Sequence, residues 1–163
     1  MRGFFTRSVV LMAALSVLAC GGLRYSQLDP AAESYHPGRI AVFPADVGPH
    51  KEASPAVEQI AAEVLIEKKW FKSVVSAESL VSRTSSDKEL GKALAEYLSK
   101  LQTLSYSDPA LSRKIGELIE ADAFLLIAVD YWSYYIKKDK NLGKVSLGVR
   151  LIDAQSGKIL WKA

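Results

Sequence analysis

This 163-residue chain has one cysteine and two histidines, and its formal net charge at pH 7 is only +3. A lone cysteine rules out an internal disulfide, so a folded domain here has to be held by ordinary packing. His36 and His50 stand 14 positions apart in turn-rich segments, without a cysteine or paired carboxylate at ligand spacing, so no metal site is expected. No Gly-rich loop opens a helix to cradle a phosphate, and no Gly-x-Ser-x-Gly elbow presents a serine nucleophile. No cofactor and no catalytic set are expected. The near-neutral charge gives no footprint for nucleic acid. Long apolar runs are also missing: the stretch between Arg7 and Cys20 holds 12 residues. As a helix it would reach only about 18 Å, against a hydrocarbon core of roughly 30 Å.

What is present at the start is a three-part export pattern. Arg2 and Arg7 supply positive charge, Val9 to Leu18 is almost wholly apolar, and Ala19 is a small residue before Cys20. Val17-Leu18-Ala19-Cys20 resembles the lipobox of bacterial lipoproteins, which implies cleavage before Cys20 and lipidation of that residue. Gly21 follows, and in such lipoproteins the absence of aspartate there implies outer-membrane export, with the protein facing the periplasm. The expected organisation is a signal peptide over 1–19, a lipidated terminus and flexible tether over 20–38, and one periplasmic domain over 39–163. Losing Arg2 and Arg7 with the leader leaves 19 basic against 18 acidic residues, a net charge of +1. The tether, turn-rich at Asp29-Pro30 and His36-Pro37-Gly38, would stretch to at most about 60 Å and keep the domain near its membrane.

The body alternates strand and helix signals. Arg39-Ile-Ala-Val-Phe-Pro44 is a short apolar run closed by proline and predicts a buried strand. Ser54-Pro55 predicts a helix entry, with Val57, Ile60, Ala61, Val64 and Leu65 on its inner face. Lys72 to Ser76 predicts a second strand. Ser86-Asp-Lys-Glu89 has the form of a capping box before Leu90, Leu94, Tyr97, Leu98 and Leu101, and Asp108-Pro109 opens another helix. Ala123 to Val129 is apolar on both alternating faces, as a central strand between helices would be. Val145, Leu147, Val149 and Leu151 alternate with Ser146, Gly148 and Arg150, and Lys158 to Trp161 returns as the hairpin partner. The pattern predicts an α/β (α+β) fold: a mixed sheet of about five strands with helices packed on it, closing in a C-terminal β-hairpin.

Arg39-Ile-Ala-Val-Phe-Pro44, Lys114 to Leu126, and Val149 to Trp161 with Asp153 and Gly157 together resemble envelope lipoproteins built on the fold of the TolB amino-terminal domain. That group includes curli secretion lipoproteins and lipoprotein activators of penicillin-binding proteins. The resemblance spans roughly residues 39 to 161 and implies a non-enzymatic role in envelope assembly or regulation. A subunit of an oligomeric secretion or transport assembly is the alternative. Two departures narrow this. Ala77 to Ile119 carries helical periods instead of the ~10-residue alternating strands of a pore, and the 18-residue tether is short for crossing peptidoglycan.

One surface stands out. Tyr131-Trp132-Ser133-Tyr134-Tyr135, followed by Lys137 and Lys138, puts aromatics beside ammonium groups. Alternation would bury half of such a run as ordinary packing, and the exposed half is a candidate partner surface for Trp132, Tyr134, Tyr135, Lys137 and Lys138. The partners implied are a membrane, through the lipid on Cys20, and an envelope protein, with a homo-oligomer as a further option. A glycan-modifying enzyme resting on Asp46 or Asp130 is the least supported reading.

Overall fold

A computed structural model gives the fold and describes residues 23–137 and 140–163. Cys20 and Lys138 lie outside the described residues. Six strands and four helices follow in the order β1 (Gln27–Leu28), β2 (Arg39–Val42), α1 (Ser54–Lys68), β3 (Ser73–Val75), α2 (Ala77–Ser86), α3 (Lys88–Leu104), α4 (Pro109–Ile119), β4 (Ala123–Lys137), β5 (Lys140–Asp153) and β6 (Ile159–Lys162). The strands form one mixed sheet in the order β1-β6-β5-β4-β2-β3. β2 runs parallel to both β3 and β4, while β4, β5, β6 and β1 pair antiparallel. The α+β architecture and closing C-terminal strands are those expected from the sequence, with six strands where about five were predicted.

Helices cover the sheet unequally. Ala41, Phe43, Phe124 and Ile152 point to the face covered by α2, α3 and α4, where they meet Leu80, Leu90, Leu94, Tyr97, Ile115 and Ile119. Phe43 and Phe124 lie 4.6 Å apart between ring centroids, and Tyr97 sits edge-on to both. Ile40, Val42, Ala123, Ile127 and Val129 point the other way, toward α1 alone through Val57, Ala62 and Leu65. Alternate residues of β2 and β4 therefore fill two cores, which is why both strands read as unbroken apolar runs.

Several local expectations change. Asp87, and not Ser86, caps α3: its carboxylate accepts from the N–H groups of Glu89 and Leu90 at 2.9 and 3.0 Å. Ser86 belongs to the last turn of α2, where its hydroxyl donates to the Arg83 carbonyl. Ser54 does not cap α1 either. Its hydroxyl donates to Glu58 Oε1 at 2.7 Å, and the same oxygen accepts from the Ala45 N–H at 2.8 Å, tying the helix to the loop after β2. Asp108 does cap α4, accepting from Ala110 and Leu111.

The expected inner face of α1 is only half right, since Ile60 is 59% and Val64 42% exposed. Part of the segment read as tether is ordered against the domain. β1 pairs with β6, a short 3-10 helix runs over Pro30–Ser34 on an Asp29 cap, and the Tyr35 hydroxyl donates to the Asp122 carbonyl at 2.6 Å.

Candidate interaction surface

The sheet carries a long arm. β4 and β5 pair without a break in hydrogen bonding partners from Ala123↔Asp153 to Lys137↔Lys140, apart from one irregularity between Val129 and Tyr131. Val129 pairs with Leu147 and Tyr131 with Ser146, so Asp130 is the extra residue of a β-bulge. An extra residue reverses the alternation beyond it. Before the bulge the odd-numbered residues Leu125, Ile127 and Val129 face α1; after it the even-numbered ones do.

Trp132 accordingly packs with Val57, Ile127 and Val129 beneath α1, half-buried. Tyr134 and Ile136 continue that face and are 77% and 75% exposed. Trp132 and Tyr134 stack edge-to-face with centroids 6.5 Å apart. Across the hairpin Val145 is registered with Trp132 and Leu147 with Val129, and both are exposed. On the reverse face lie Tyr131, Tyr135 and Lys137, opposite Ser146, Leu142 and Lys140. Lys144 Nζ sits 5.0 Å from the centre of the Tyr131 ring, a cation over an aromatic face.

The structure therefore splits the five residues singled out from the sequence. Trp132 and Tyr134 share the α1 face, Tyr135 and Lys137 share the reverse face, and Lys138 lies outside the described residues. Sequence reasoning missed Ile136, and from the alternation that set Val145 and Leu147 on one apolar face of β5 it predicted a buried face where both are exposed. It also assigned Ile60 and Val64 to the core.

Two clefts hold polar groups. Asp46 and Asp130 line one of 470 Å³ with Arg150, Lys162, Gln102 and Tyr25. The Asp46 carboxylate accepts from the Gly48 N–H at 3.3 Å, an Asx turn, and its backbone bridges to Ala128. Two carboxylates beside a guanidinium and an ammonium can hold a polar ligand. The second cleft, of 340 Å³ at the opposite end of the parallel strands, contains His36, Arg39, Arg113, Glu120 and Asp122. There Asp122 is engaged structurally. Its oxygens accept from the Gly38 and Arg39 backbone N–H groups and from Arg39 Nη2 at 2.8 Å. The Arg39 guanidinium, foremost, holds the Asp122 carboxyl below the usual carboxylate range. Arg113 Nε donates to the Gln155 carbonyl. His50 lies elsewhere, in the loop before α1, with its N–H on the Val47 carbonyl. Among the described residues no group of three His, Cys, Asp or Glu side chains converges as a metal site, and no helix is long and apolar enough to cross a membrane.

No family model and no curated protein sequence matches the chain. Solved structures do. A PelC dodecamer from Paraburkholderia phytofirmans in one crystal form superposes with a TM-score of 0.52 at 18% identity, covering 85% of this chain and 75% of that one. A second crystal form gives 0.51 at 18% identity, covering 85% and 74%. The lipoprotein GNA1162 from Neisseria meningitidis gives 0.48 at 18% identity, covering 78% and 79%. At this identity the likeness to PelC is one of fold, and the fold of this chain is one that PelC also adopts.

Proposed function

We propose that this chain is a lipid-anchored envelope protein, held in the outer membrane through Cys20, that works without catalysis by binding other proteins in envelope assembly or regulation. The observation that carries this reading is the β4–β5 arm, which presents Tyr134 and Ile136 at 77% and 75% exposure beyond the packed body. Tyr134 and Ile136 share one face with the exposed Val145 and Leu147, and contiguous apolar patches of this kind mark contact surfaces. The polar clefts, by contrast, direct their best-placed carboxylates to backbone N–H groups and a neighbouring arginine.

A second reading has its own support. PelC, whose fold this chain shares, was crystallised as a dodecamer, and a homo-oligomeric subunit of a secretion or transport assembly fits an arm built for contacts.

Crosslinking and affinity capture from the native envelope, read by mass spectrometry beside a Cys20→Ala control, tests the proposal. The expected result is acylation at Cys20 and reproducible recovery of envelope proteins or further copies of the chain, lost in the control. Recovery of neither with the acylated protein would sink the contact reading, and an unacylated Cys20 would sink the anchor.

A further inference from the structure

The α1 side of the arm has a property that its aromatics alone do not convey. On β5 the residues turned to this face include Gly143, Val145, Leu147, Val149 and Leu151, and on β4 beyond the bulge they are Trp132, Tyr134 and Ile136. Asn141, opposite Ile136, also faces this side, and among the described residues of the face from 132 to 151 none is charged; Asp153 follows at the base of β5, opposite Ala123. Lys137, Lys140, Lys144 and Arg150 all fall on the reverse face. α1 lies over the β2 and β4 part of the sheet and its core reaches β5 at Leu151, with Val149 half-buried, while Val145 and Leu147 stay exposed. The exposed part of this strip, with the helix flank beside it, offers on the order of 700 Å² of apolar surface, close to the ~800 Å² each partner contributes to a standard interface.

The step formed by α1 decides what can reach it. Around the helix, Ala62 and Ile66 turn toward α2 at the β3 edge, where both line the groove between the two helices. Ile60 and Val64 occupy the opposite flank at 100° per residue, which overlooks the strip. The crest between the flanks is Gln59, Glu63 and Glu67, all exposed. A bilayer, broad and flat, would meet those carboxylates before it touched Leu147. A narrow protein layer would not: packed sheets lie ~10 Å apart, about the height of one helix on a sheet.

We infer that the strip is a self-association surface, on which the same strip of a second copy packs sheet to sheet about a two-fold axis, its edge seated against Ile60 and Val64. An uncharged surface is complementary to itself, because neither side buries an unpaired ion in the pairing. The Lys-bearing reverse faces then stay in water. This inference rests on the proposed role in protein contacts and names the partner for one face of the arm.

The test places a photo-crosslinking amino acid at Val145, and separately at Lys144 on the reverse face, in the full chain in its native envelope. Val145 should yield a crosslinked dimer whose second site lies in residues 132–147 of another copy, and Lys144 should not. Leu147→Lys should lower that dimer at least tenfold while leaving thermal melting unchanged, because Leu147 is exposed. Capture of a different protein from Val145 would overturn self-pairing while the contact reading stands. Capture of lipid would overturn it in favour of a bilayer surface. Capture of no protein from either face would overturn both.

Discussion

Asp122 shows how much one carboxylate settles. It follows the left-handed Glu120 and Ala121 at the end of α4, and it takes the backbone N–H groups of Gly38 and Arg39, so the starts of β2 and β4 are fixed side by side. The carboxyl titrates below its ordinary range, with the Arg39 guanidinium as the main cause, burial opposing and the backbone N–H groups assisting. A folded pKa below the unfolded one stabilises the protein above the ordinary carboxylate pKa of about 4, and that stabilisation fades as pH falls through the lowered folded value. Asp122→Asn should therefore cost about 1 kcal/mol at neutral pH, at the low end for charged hydrogen bonds because the side chain is 36% open to water. Denaturant unfolding of both proteins from pH 7 to pH 2 checks this: the gap should be constant down to about pH 4 and close below it. A gap that stays constant to pH 2 would mean that the ionised carboxylate is not what holds the strands.

At the scale of elements, the sequence was legible where each period had a single meaning. β2, α1, α3, α4 and the apolar half of β4 announced themselves, because their spacing matched burial on one or two faces. α2 stood out less: Ala77–Ser86 lies in a segment read as mostly helical, but its Ser- and Thr-rich composition buries only Ala77 and Leu80. The candidate surface was legible as a cluster of aromatics and illegible as a geometry. From Ala123 onward, simple alternation would put Tyr131 and Tyr135 under α1; the bulge at Asp130 puts Trp132 there instead, and no residue type in the run marks the insertion. The exposed Ile60 and Val64 have a related cause, since α1 is apolar around more than the arc its sheet can cover. The bulge makes a measurable difference between neighbours. Trp132→Ala should destabilise by about 2 kcal/mol, less than a fully buried tryptophan because the ring is half-buried, whereas Tyr134→Ala should stay within about 0.5 kcal/mol. Equal losses in chemical denaturation at the two sites would contradict the placement of the bulge.

For the whole molecule the question is whether the arm belongs to the folding unit or is carried by it. Both cores lie at or below Trp132: the three-helix core draws on Phe124, Leu126 and Ile152, and the α1 core reaches up only as far as Val129 and Trp132. Above Trp132 the arm is a two-stranded ribbon, and such a ribbon contributes little stability of its own in water. Trp132 and Val145 are registered partners, so replacing residues 133–144 by Asn-Gly joins them through the two-residue turn that hairpins favour. The shortened protein should melt cooperatively within a few degrees of the intact one, since the deletion removes neither core. Its contacts should suffer instead, because Tyr134, Tyr135 and Ile136 go with the ribbon while Val145 and Leu147 remain. Thermal melting and envelope crosslinking on the same protein separate the two roles. A shortened chain that folds but loses its partners places function in the arm; one that folds and keeps them moves the contact surface down to the body; and one that fails to fold makes the ribbon a structural part of the domain.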